Sequence, residues 1–220
     1  CHTRRARALP PGGIHRAGVA REAHGAEVQG RVSGRHGALN ARKQPWLAVE
    51  AWHKLKEEKG EAFAGARLAL HTSVPGTLFP ELNEPFAHAG IRVFVSSLDA
   101  QGVRDMYASS HCLLAPRRGE GKNLPALEFM STGGTVAATN YGGHTMWMGA
   151  DWAYPLDYKL GATFGTCPWG AHDAKVSVDH LADTIWHIYT HRSEARDKGQ
   201  RAAELIPKMC DWSVVLENLF

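Results

Sequence analysis

The sequence predicts an α/β fold, a parallel sheet with helices on both faces. Two observations lead there. Short apolar runs, "RLALHT", "IRVFV", "HCLLA" and "TVAAT", recur along the chain. They alternate with segments that carry apolar residues at helical spacing, and this alternation is the pattern of a sheet covered on both sides. The crossovers between such strands are right-handed by default. Hydrophobic residues make up 44% of the 220 positions, enough for an ordinary globular core.

Taken in order, residues 1–36 show little periodicity and much Gly, Arg and His, and read as a linker or loosely ordered segment. Regular structure is expected from "GALN" onward, giving a domain over residues 37–220. "KQPWLAVEAWHKLKEE" places Ala48, Ala51, Trp52 and Leu55 on one helical face, with Pro45 in the first turn. "RLALHT" and "IRVFV" follow as strands. "GVRDMYASS" forms a short helix whose Val103, Met106 and Tyr107 share a face. "HCLLA" and "TVAAT" are further strands, separated by the helix "LPALEFMS". Ser177 is the expected cap of the helix "VDHLADTIWHIYTH", with Val178, Leu181, Ile185 and Ile188 along one face. "SEARDKGQRAAELI" continues as a helix, and "WSVVLENLF" closes the chain.

Composition narrows the function classes. A net charge of +3 from 25 basic and 22 acidic residues is too balanced to argue for a nucleic-acid partner. The early arginines (Arg4, Arg5, Arg7, Arg16, Arg21, Arg31, Arg35) have no aromatic platforms between them. No apolar run approaches the ~20 residues of a transmembrane helix. The opening residues lack the apolar centre of a signal peptide, and Cys1 stands where a processing or fragment boundary would leave it. Cys1, Cys112, Cys167 and Cys210 are widely spaced, as free thiols in a reducing, cytoplasmic compartment would be, with Cys112 read as a small core residue. His71, His111 and His172 fall in different elements without metal-ligand spacing. No serine sits in a glycine-flanked elbow, which disfavours a Ser/His/Asp hydrolase.

The chemistry concentrates in "RGEGKNLPALEFM" at residues 118–130. This loop leaves a strand's carboxyl end, where open parallel sheets bind ligands. Pro125 lacks an N–H and belongs in the first helical turn. The amides near Gly121, Lys122, Asn123 and Leu124 then face outward with the helix's positive end, an anion site suited to phosphate. Glu128, one turn further in, suits paired hydroxyls such as those of a ribose. Glu120 precedes the loop, within reach of a sugar hydroxyl or a loop amide. A solvated helical glutamate is the competing reading. Gly142 and Gly143 in "TNYGGH" permit close backbone approach, and this loop leaves a neighbouring strand. Arg42 and Lys43, at a strand–helix junction, are placed to neutralise a diphosphate. For Arg117 and Arg118 a second phosphate clamp and a solvated surface stand equally. Trp147, Trp152 and Trp169 read first as packing.

The stretch "MYASSHCLLAPRRGEGKNLPALEFMSTGGTVAATNYGG" resembles the donor-binding half of retaining GT-B glycosyltransferases of the glycosyltransferase family 4, or group 1, type. Two glutamates with seven residues between them (Glu120 and Glu128) span a glycine-bearing loop, and a strand leads on to Gly142–Gly143. "GALNARKQPWLAVEAWHKL" is similar to the family's first strand, basic pair and helix, and "ALPPGGIH" to its interdomain segment. "WAYPLDYKL" and "CDWSVVLENLF" also look family-like. The resemblance implies the Rossmann-like C-terminal domain of a GT-B fold, with residues 1–36 leading from an N-terminal domain. It implies that Glu128 holds the nucleotide ribose and that Glu120, the candidate catalytic residue, lies against the donor sugar or phosphate. Gly121, Lys122, Asn123 and Leu124 would contact the sugar, and Arg42 and Lys43 the diphosphate. The donor would be a UDP-, GDP- or ADP-sugar, with no cofactor and no metal, and a separate or missing N-terminal domain would be the partner. Lys122 and Asn123 depart from the family's aromatic residue and glycine, and Thr135 from its proline. A nucleotide-sugar epimerase-like domain and a non-catalytic carbohydrate- or nucleotide-binding remnant are the alternatives.

Overall fold

The structure, a computed structural model, describes residues 29–33, 42–72, 90–162 and 172–210. Six strands form one sheet: β1 (Gln29–Ser33), β2 (Arg67–Thr72), β3 (Ile91–Val95), β4 (Cys112–Ala115), β5 (Thr135–Thr139) and β6 (Tyr154–Leu156). Every pairing in it is parallel, and the order is β3-β2-β1-β4-β5-β6. The chain therefore builds outward in one direction from β1 to β3, then restarts beside β1 with β4. The gap above the carboxyl ends of β1 and β4 is the switch point where such sheets bind ligands. A small antiparallel pair, β7 (Lys159–Ala162) with β8 (His172–Lys175), stands apart from the sheet.

Among the described residues five α-helices accompany the strands: α1 (Pro45–Lys59), α2 (Ala100–Ala108), α3 (Leu124–Ser131), α4 (Val178–Thr190) and α5 (Arg192–Cys210). Their starts follow local chemistry. Asp99 accepts the Gly102 amide at 2.8 Å to open α2, and Ser177 accepts the His180 amide at 3.1 Å to open α4. Prolines occupy the first turns of α1 and α3, and each helix begins after a left-handed residue, Gln44 (φ 48°) or Asn123 (φ 54°).

The strands divide the core by alternation. Cys112, Leu114 and Ala137 point to one side, where they join Trp52, Leu55, Phe63, Leu181 and Ile185 from α1, the turn after it and α4. Leu113, Ala115, Val136 and Ala138 point to the other, among Met106, Tyr107, Phe129, Ala202 and Ile206 from α2, α3 and α5. Both faces of the sheet are thus covered, which is why its strands read as continuous apolar runs. Cys112 is a core residue, and burial pushes its thiol up to about 12.

One boundary needs correction. Residues 1–36 read as a linker, yet β1 lies within them, hydrogen-bonded between β2 and β4 in the middle of the sheet. "QGRVS" carries a single large apolar residue, Val32, so no periodicity marks it. Its partners on both sides make it a strand. The expected strand at "GALN", the segment "ALPPGGIH", Trp169 and the terminal "WSVVLENLF" lie outside the described residues. No helix among the described residues is long and apolar enough to cross a membrane.

Helix α5 approaches the turn between α3 and β5 through Gly199. A Cβ there would fall 2.4 Å from the Gly133 carbonyl oxygen, which is backbone and has little freedom to move. Helix propensity alone favours Ala over Gly by about 1 kcal/mol, but the clash opposes it. Gly199→Ala is expected to destabilise the protein by roughly 1–3 kcal/mol in urea unfolding. A variant more stable than the parent would show that α5 does not sit this close.

Candidate functional site

The loop of residues 116–123 joins β4 to α3 and has no regular structure of its own, so other backbones hold it. Gly143 donates its amide to the Glu120 carbonyl at 2.9 Å. A Cβ on Gly143 would lie 1.4 Å from the Gly121 carbonyl oxygen, so only glycine fits. On the opposite side, Arg118 donates to the Arg42 carbonyl and receives the Ala174 amide on its own carbonyl, both at 2.9 Å. At the loop's end, the buried Trp147 donates its indole N–H to the Lys122 carbonyl at 2.8 Å.

These ties bring charges together above β1 and β4. Arg42 Nη1 donates to Glu120 Oε2 and to the Gly119 carbonyl, each at 2.9 Å. Arg117, 5% exposed, pairs with the same Glu120 oxygen. Burial by itself would raise the Glu120 carboxyl. The adjacent Arg117 charge and the hydrogen bonds from Arg42 and Arg117 outweigh it and hold the group below the usual carboxylate range. Glu120 also accepts the Gly121 amide on Oε1 at 3.3 Å. Lys43 is buried beside this group. Desolvation first, then the Arg117 and Arg42 charges, bring its ammonium down to about 8, with Glu120 pulling the other way.

A cavity of about 370 Å³ opens here, lined by Arg42, Lys43, Arg117, Glu120, Lys122, Asn123, Leu124 and Pro125. Helix α3 presents its amino end to it, and Asn123 turns that end. Its carbonyl accepts the Ala126 amide at 2.9 Å, and its side-chain nitrogen lies 3.1 Å from His144 Nε2. His144 Nδ1 faces the Thr139 carbonyl at 2.8 Å, which can only accept, so Nδ1 carries the proton and Nε2 accepts from Asn123. Burial, the largest influence, lowers the imidazole's affinity for a second proton and favours its neutral form.

The predicted residues thus fall into three groups. Arg42, Lys43, Glu120, Lys122, Asn123 and Leu124 line the cavity. Gly121, Gly142 and Gly143 support the loop through their backbones: Gly142 has φ 68° and, like Gly143, lies against the Glu120 carbonyl. Glu128 is not among the lining residues. It sits one turn below Leu124 on the same side of α3, its Oε2 accepting the Tyr107 hydroxyl at 2.9 Å. Of the undecided arginines, Arg117 enters the cavity, whereas Arg118 reaches Asp173 at 3.8 Å. His144 and Tyr107 were not singled out as supports of Asn123 and Glu128. Their partners are 21 residues away in sequence, so spacing gives no sign of them. Among the described residues no three His, Cys, Asp or Glu side chains gather as metal ligands would.

No protein-family model matches the sequence, and no curated protein matches it. Solved structures do share the fold. Anabaena HepE, in complex with UDP and glucose, superposes with a TM-score of 0.64 at 14% identity, over 87% of this chain and 46% of its own. Sucrose-phosphate synthase from Thermosynechococcus elongatus gives 0.66 at 18%, over 88% and 44%. The C-terminal domain of a glycosyl transferase group 1 family protein, LpcC from Francisella tularensis, gives 0.58 at 19%, over 83% and 84%. The chain therefore has the fold of a GT-B glycosyltransferase C-terminal domain. It spans less than half the length of HepE and of the synthase.

The Lys43 ammonium gives the cavity a pH signature. Its charge is present below about 8 and lost above it, while a bound anion raises that value. Sulfate, whose charge is constant over this range, is expected to bind more weakly as pH rises from about 7 to 9. Calorimetric titration of the parent and Lys43→Gln checks this: the variant should lose the dependence. Parallel curves would show that Lys43 does not meet the anion.

Proposed function

We propose that the chain is the donor-binding part of a glycosyltransferase that moves a sugar from a nucleoside diphosphate to an acceptor with retention, in the manner of family 4 enzymes. The observation that carries this reading is the convergence of Arg42, Lys43 and Arg117 with the amino end of α3 on one cavity at the sheet's switch point. Three cations and a helix amino end suit a diphosphate, and about 370 Å³ lies within the ordinary range for ligand sites.

In this reading the diphosphate lies against Arg42, Lys43 and Arg117. As the bond from the sugar carbon to the diphosphate oxygen breaks, negative charge grows on that oxygen, and the fixed cations and α3 amides stabilise it. Glu120, held ionised, faces the sugar end with Gly121, Lys122, Asn123 and Leu124 and orients a hydroxyl rather than donating a proton. Glu128 accepts the ribose hydroxyls. The Tyr107 hydroxyl fixes one of its oxygens, and a carboxylate keeps further lone pairs for the ribose. The acceptor is held by a second domain, in the same chain or a partner, since closing a cleft over the donor takes a second wall. UDP, GDP and ADP are the candidate nucleotides. HepE, which shares the fold, was solved in complex with UDP and glucose.

Calorimetric titration with UDP, GDP and ADP in chelator tests this. At least one is expected to bind, and Glu128→Gln to weaken it by about 1.5–3 kcal/mol through loss of charge-assisted bonds to the ribose. Absence of binding by all three at millimolar concentration would sink the donor-site reading. Unchanged affinity in Glu128→Gln would remove Glu128 from it.

A further inference from the structure

Glu120 sits among the groups that a diphosphate would need. Its Oε2 takes the guanidinium of Arg42 at 2.9 Å and that of Arg117 as well. A carboxylate and a phosphate present the same paired oxygens to an arginine fork, so the two compete for these donors. We propose that Glu120 is a displaceable counter-ion: it holds Arg42 and Arg117 in the unliganded chain and gives up Arg42 to the ligand's diphosphate. This deepens the reading of the cavity as a nucleoside-diphosphate site and rests on it.

The geometry says which partner leaves. Arg117 is buried on the loop, its side chain 5% exposed, and it remains with Glu120. Arg42 stands at the turn before α1 with its side chain 47% exposed, so it can swing towards a phosphate without opening the core. The counter-ion also has a structural purpose. Arg117 and Lys43 are both buried beside Arg42, and cations packed together without an anion would repel one another and carry a desolvation penalty. Glu120 offsets that until the ligand supplies its own negative charge. The remaining repulsion between Glu120 and the bound diphosphate then holds affinity down, which favours release of the diphosphate product.

The consequence runs against the usual expectation for a site residue. Glu120→Gln keeps the shape and still accepts hydrogen bonds from Arg42 and Arg117, but removes the competing charge. It should bind pyrophosphate and UDP about three- to tenfold more tightly than the parent at neutral pH, in chelator, with the gain shrinking as salt rises. Calorimetry on both proteins, with circular dichroism to confirm the fold, reads this out. Equal or weaker binding by Glu120→Gln, while the parent still binds UDP, overturns the counter-ion and leaves the donor site standing. If neither protein binds UDP or pyrophosphate, both readings fall. Should Glu120→Gln not fold, the parent alone decides: its Glu120 carboxyl carbon-13 resonance should move on saturation with pyrophosphate, and a resonance that stays in place overturns the proposal.

Discussion

A loop that carries two arginines, a glutamate and a lysine repels itself and has no ladder of its own, so something outside it must fix its path. The backbone of Gly143 does this. It packs so closely against Glu120 and Gly121 that a single added carbon would overlap the Gly121 carbonyl. Its amide closes the contact with a 2.9 Å bond to the Glu120 carbonyl. The Gly-Gly turn follows β5 and the charged loop follows β4. Because β4 and β5 are hydrogen-bonded neighbours, the sheet itself places one loop under the other. The order of the strands is thereby converted into the position of a carboxylate.

From that fixed carboxylate the electrostatics of the cavity follow. Glu120 draws in Arg42 and Arg117, and their charges, after burial, depress the ammonium of Lys43. Helix α3 adds its positive end, oriented by Asn123 in a left-handed conformation and steadied by His144. Left-handed backbone ordinarily favours glycine, but asparagine tolerates it better than most side chains. A side chain at this position also reaches His144, which glycine would not. The site is therefore a set of cations with one built-in anion, positioned before any ligand arrives.

Much of this was legible in the residues. The bounds of β2, β3, β5 and α3 follow their apolar runs and proline, and Ser177 marks the start of α4. The two loops could be placed together because each leaves a strand end. What was hidden depends on contacts distant in sequence. Strand β1 has almost no apolar signal and exists through its two partners. Burial of Arg117 depends on the packing around it, and the Tyr107–Glu128 bond joins α2 to α3. The antiparallel pair β7–β8, which ties Ala174 to Arg118, has exposed strands of mixed polarity that no periodicity reveals.

In the proposed function a nucleoside diphosphate lies across the cations at the switch point between β1 and β4, and a crystal structure of the chain with bound UDP decides whether it does. Both phosphates are expected within hydrogen-bonding distance of Lys43 Nζ and of the Arg42 or Arg117 guanidinium, with the ribose turned towards Glu128. Diphosphate density anywhere else on the protein, with Lys43 and Arg117 untouched, would contradict it.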